Sequence, residues 1–131
     1  MSIPDKYKVE VKNKGGTQFF VKAEHGEFVV DSEGNGPAPL ETLLAALGSC
    51  TGHYIRNFLK KANVDYAFFT VSVEADLAKD KGYYLKDINV AIDLNGAVID
   101  DLKKDGLIEF VKNCPVHYTL KSSPNINLKI L

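Results

Sequence analysis

A chain of 131 residues with 16 basic and 17 acidic side chains, net charge −1, lacks the positive excess that nucleic acid or an anionic membrane surface demands. Fifteen of the basic residues are lysines and one is arginine, Arg56, so forked donors for phosphate or base edges are almost absent. Two cysteines are too few for a disulfide-built secreted domain, and 45% hydrophobic with 25% charged residues predicts one globular domain over 1–131.

Taken in chain order, Lys6–Lys12 alternates with Tyr7, Val9 and Val11 on one face and predicts a strand. Gly15-Gly16 turns the chain into a second strand, Thr17–Ala23, and His25-Gly26 into a third, Glu27–Asp31. Ser32–Pro39 is a loop rich in glycine and proline. Leu40–Ala62 then reads as a helix, with proline before it and Leu40, Leu43, Leu44, Leu47, Ile55, Phe58 and Leu59 at helical spacing. Its middle is apolar nearly all round, which predicts a central, buried helix. Ala45, Gly48 and Gly52 form a small-residue stripe, read as room for a second helix backbone.

Phe69, Val71, Val73, Ala75 and Leu77 alternate as a fourth strand, turned by Asp80-Lys81-Gly82 into a fifth that carries Ile88, Val90, Ile92 and Leu94. Ile99–Asn113 reads as a second helix weakened by Gly106, with Leu107, Phe110, Val111 and Cys114 on one stripe. His117–Ser122 adds a helical turn, and Ile126, Leu128 and Ile130 close the chain as a strand. The order βββ-α-ββ-α-β is an α+β pattern with antiparallel sheet. No run approaches the roughly 18 apolar residues of a membrane span, and the N-terminus lacks an apolar signal core, which predicts a cytoplasmic protein.

The chemistry gathers at Cys50-Thr-Gly-His53 and Cys114-Pro-Val-His117. Thiolate is the strongest soft nucleophile among side chains, and imidazole can take its proton or share a metal with it. The residues leave three readings open: a thiol redox pair, a Cys2His2 zinc site, or two buried thiols with coincidental neighbours. Glu41, the acid in the first turn of the long helix, suits the helix dipole. As a functional group it would orient a cation near the thiol, although about 13 Å of helix axis separates it from Cys50.

These residues resemble the OsmC/Ohr family of osmotically inducible and organic hydroperoxide resistance proteins. The run from Gly36 to Cys50 (GPAPLETLLAALGSC) is similar to that family's helix motif ending at its reactive cysteine, and Cys114-Pro115-Val116-His117 to its second cysteine motif. The resemblance implies an intertwined homodimer, with antiparallel sheets wrapped around central helices and sites at the subunit interface. It implies a thiol peroxidase in which Cys50 attacks a hydroperoxide, Cys114 resolves the sulfenic acid as a disulfide, and a thiol reductant restores both, with no metal or organic cofactor. Catalytic roles are thereby implied for Cys50, Cys114 and Glu41. Well-studied family peroxidases activate the thiol with an arginine from the N-terminal β region, held by a glutamate. This chain has no arginine before Arg56, and its Glu41 stands one position nearer the cysteine. Lys14 or Lys22 are the available cations, and a lysine is a point charge rather than a fork. The alternative implied by that departure is a non-catalytic binding protein with inert thiols.

Overall fold

Three short strands separated by tight turns build the first sheet of the computed structural model, which describes residues 3–131. Strands β1 (Glu10–Asn13), β2 (Gln18–Ala23) and β3 (Gly26–Asp31) pair antiparallel in the order β1-β2-β3. Gly15, at φ 101°, reverses the chain after β1, where the Gly15 N–H donates to Asn13 Oδ1 at 3.0 Å. The first strand is shorter than the expected Lys6–Lys12 and starts later. Among the described residues its one partner is β2, and their pairing runs from Glu10↔Lys22 to Asn13↔Phe19. Tyr7 and Val9 have no strand opposite them and stay exposed.

Asp31 ties this sheet to the loop that follows. The residue is 1% exposed; its Oδ2 accepts from Thr17 Oγ1 at 3.0 Å and its Oδ1 from the Glu33 N–H at 2.8 Å. Its own N–H donates to the Pro37 carbonyl at 3.0 Å. The Glu33 N–H above all, helped by Thr17 and Asn35, holds the carboxyl below its ordinary 3.8, against burial, which pushes it up. A lowered carboxylate pKa contributes stability that is present above the unfolded value and lost as pH falls through the folded one. Asp31→Asn is therefore expected to lower the urea midpoint at neutral pH and to flatten its decline below about pH 4. Urea unfolding of both proteins from neutral pH down to about pH 2.5 checks this.

The chain divides into two compact units, one ending at Leu43 and the other beginning at Leu44. Helix α1 (Pro39–Lys61) agrees with the expected span. The Ala38 carbonyl accepts the Thr42 N–H at 2.9 Å, and Pro39 fills the first turn, where its missing N–H costs nothing. The helix stops at Asn63, φ 55°, with Asn63 N–H on the Lys60 carbonyl and Val64 N–H on that of Leu59, the paired bonds of a Schellman motif.

In the second unit, Ile55 and Leu59 of α1, both 0% exposed, pack with Leu107 and Val111 of α2 (Asp101–Val111). Phe110 of α2 stacks against Tyr54 at 5.3 Å and Phe58 at 5.9 Å between ring centroids. A Cβ on Gly106 would stand 3.5 Å from Phe58 Cζ, an ordinary van der Waals contact, so the Phe58 ring does not require glycine there. Truncating Leu59 to alanine empties the centre of this cluster, with an expected cost of about 2–5 kcal/mol. A urea melt reads it as a lowered midpoint at unchanged slope. Helix α2 begins at Asp101 rather than Ile99, because Asp100 Oδ1 accepts the Lys103 N–H at 2.8 Å and caps it.

Strands β4 (Thr70–Ala78) and β5 (Tyr84–Asp93) form a separate antiparallel pair. Their register slips between Glu74↔Asn89 and Asp76↔Lys86, so β5 carries one extra residue there, with Asp87 at φ 51°. The bulge re-phases the strand, and Leu85, Ile88 and Val90 come to line one groove despite their odd spacing. The small-residue stripe of α1 meets this sheet rather than another helix. A Cβ on Gly48 would lie 3.2 Å from Val73 Cγ2, and one on Gly52 would lie 3.9 Å from Val71 Cγ2.

The chain's last regular element is a helix, α3 (Pro115–Ser122), giving the order β-β-β-α-β-β-α-α. The expected closing strand through Ile126, Leu128 and Ile130 does not form. Those residues are 82%, 94% and 100% exposed, and among the described residues no strand lies alongside them to complete a ladder. The α+β class with antiparallel sheets stands; the closing strand does not.

Candidate active site

Cys50 and Cys114 are 64 positions apart in sequence and are brought together by α1 and α3. Cys50 occupies the middle of α1. Cys114 is the N-cap of α3: with Pro115 at the first helical position, its sulfur accepts the His117 N–H at 3.4 Å. A Cys-Pro pair at a helix start is itself a start signal, and it places this helix two residues ahead of the His117 that periodicity suggests. Cys114 is 0% exposed, whereas Cys50 is partly open to solvent.

The Cys50 thiol lies close to the Cys114 sulfur and to the Val116 backbone N–H. Burial chiefly, then the Cys114 thiol beside it, push the Cys50 pKa up to about 11; the Val116 N–H opposes them. Among the described residues no lysine, arginine or histidine side chain is one of the groups acting on this thiol. The pair is assembled for disulfide chemistry, but within one chain the nucleophile is held protonated. The Val116 N–H is the contributor that sequence reasoning misses, because a backbone group carries no residue-type signature.

The other sequence candidates lie elsewhere. Glu41 Oε1 accepts the Ala38 N–H at 2.8 Å, the reciprocal half of a capping box, so its carboxylate is engaged at the start of its own helix. His53 is exposed, and its Nε2 is 3.4 Å from Asn57 Nδ2. His117 lines a groove of about 330 Å³ with the apolar Leu47, Leu85, Ile88, Val90 and Leu120 and the charged Asp87 and Lys121. Among the described residues no three His, Cys, Asp or Glu side chains are placed to share a metal ion. Lys14 Nζ stands 4.8 Å over the Phe20 ring, and Lys22 faces Glu10 and Glu27 across the ladder. Among the described residues no helix is long and apolar enough to cross a membrane.

Several solved structures share this fold. An OsmC-like protein from Mycoplasma pneumoniae superposes with a TM-score of 0.81 at 18% identity, covering 92% of this chain and 91% of that one. The organic hydroperoxide resistance protein OhrB of Bacillus subtilis gives 0.61 at 18% identity, over 94% and 96% of the two chains. An OsmC-like hydroperoxide resistance protein from Jannaschia sp. gives 0.58 at 25% identity, over 93% and 91%. No curated protein sequence matches the chain. The sequence pattern of the OsmC-like protein family matches residues 32–129, three quarters of the chain and both cysteine motifs, and the chain therefore belongs to that family.

Proposed function

We propose that this protein is a thiol-dependent hydroperoxide reductase of the peroxide-stress response, working through Cys50 and Cys114. The observation that carries the reading is the close approach of the two thiols, whose residues stand 64 positions apart in the chain. Support also comes from the hydroperoxide resistance protein of Jannaschia sp., at 25% identity. In the proposed cycle the Cys50 thiolate attacks the distal peroxide oxygen, the O–O bond breaks, and the alcohol leaves with a proton. Cys114 then attacks the Cys50 sulfenic acid, expelling water and forming the disulfide. A thiol reductant returns both cysteines to the reduced state, and no cofactor is needed. The groove lined by Leu47, one turn before Cys50, and His117, one turn into α3, favours hydroperoxides with an apolar body over hydrogen peroxide.

The protonated Cys50 thiol requires a cation from outside the single chain, and a homodimer would supply it. The alternating apolar run Ile126, Leu128, Ile130, fully out in solvent, supports a second copy as its strand partner. Glu41 would orient that cation rather than touch the sulfur. The raised Cys50 pKa also favours a second reading, a binding protein with inert thiols.

Titration with cumene hydroperoxide separates the two. The reductase loses two thiols per peroxide consumed and gains a Cys50–Cys114 disulfide. Thiol loss no faster than in the urea-denatured chain would sink the reductase and leave the binding protein.

A further inference from the structure

The two sulfurs differ in the property that decides which of them an incoming thiol can reach. Cys114 is entirely closed off at 0% exposure, whereas Cys50 is partly open. Thiol–disulfide exchange needs the entering sulfur in line with the bond it breaks, so access chooses the attacked sulfur, and stabilisation of the departing thiolate favours the other as leaving group. Cys114 meets the second requirement. Its sulfur accepts the His117 N–H at 3.4 Å as the N-cap of α3, where the first-turn N–H groups and the helix dipole favour negative charge. The Val116 N–H also lies beside Cys50, so a neighbouring N–H does not separate the two sulfurs and access does.

We propose that re-reduction of the Cys50–Cys114 disulfide is one-sided: an external dithiol attacks Cys50, and Cys114 departs as a thiolate held at the N-terminus of α3. This rests on the thiol–disulfide reading of the site. The dithiol's thiolate forms a bond to the Cys50 sulfur, the Cys50–Cys114 bond breaks, and its electron pair goes to the Cys114 sulfur. The second thiol of the reductant then attacks its own sulfur within the mixed disulfide and releases Cys50. The reductant ends as a disulfide, two electrons poorer. Its two protons end on Cys50 and Cys114.

The test starts from protein oxidised with diamide rather than with a peroxide. The disulfide is exposed to excess glutathione, quenched in acid, alkylated with N-ethylmaleimide and mapped by peptide mass spectrometry. Glutathione is expected on Cys50 and maleimide on Cys114, about tenfold or more over the converse. Glutathione mainly on Cys114, or spread evenly, overturns the proposal, as does failure of diamide to join the two thiols. The outcome is independent of peroxide turnover. Protein inert to cumene hydroperoxide but carrying glutathione on Cys50 loses the reductase reading and keeps this one. Rapid hydroperoxide reduction with glutathione on Cys114 does the reverse.

Discussion

Alkylation of Cys50 by iodoacetamide is expected to accelerate about a thousandfold between pH 7 and pH 10, climbing until the thiol titrates at about 11. The thiolate is the reacting species, and below its pKa the thiolate fraction rises tenfold per pH unit. Burial and the adjoining Cys114 set that pKa, the second cause being removable. Cys114→Ala deletes the acceptor that favours the neutral thiol, so its alkylation profile is expected to move to lower pH. Stability follows the same linkage. A thiol pKa raised from 9.0 to about 11 contributes stability that is full below 9.0 and is lost as pH rises through about 11, because the folded chain keeps a proton that the unfolded chain has released. A profile that levels off near neutral pH would mean that Cys50 in solution faces a cation that the single chain does not provide.

Cys50→Ser is expected to slow peroxide-driven thiol loss at least about a thousandfold, since an alcohol cannot replace the thiolate as nucleophile. Cys114→Ser keeps an oxygen able to accept the His117 N–H, and with it the start of α3. That variant is expected to react once and stop, with Cys50 held as a sulfenic acid that dimedone captures. Multiple turnovers by Cys114→Ser would remove Cys114 from the resolving role while leaving Cys50 as the nucleophile. Stopped-flow peroxide consumption and intact-protein mass spectrometry read both outcomes.

Elements whose causes are local were legible in the chain. Helix α1 follows from a proline at its first position, leucines at helical spacing and an asparagine that adopts the left-handed backbone at its end. The β4–β5 hairpin follows from alternation interrupted by Asp80-Lys81-Gly82. Elements that need a distant partner are not legible in this way. Tyr7 and Val9 alternate like a strand, and so do Ile126, Leu128 and Ile130, yet periodicity describes a face and cannot supply the neighbouring backbone that a ladder requires. The Gly48/Gly52 stripe was legible as a close approach, but what approaches is the β4 side chains Val71 and Val73.

The candidate site divides along the same line. Residue type and motif were enough to single out Cys50 and Cys114, because only these two side chains offer a thiol and their surroundings match a family pattern. Three further facts come from packing alone: that the sulfurs meet, that Cys114 is sealed while Cys50 stays partly open, and that a Val116 N–H rather than a histidine reaches Cys50. Proximity, burial and hydrogen bonding arise only when α1 and α3 dock. Those quantities set a thiol's pKa and its accessible side, so the nucleophile could be read from the chain, and its protonation state only from the fold.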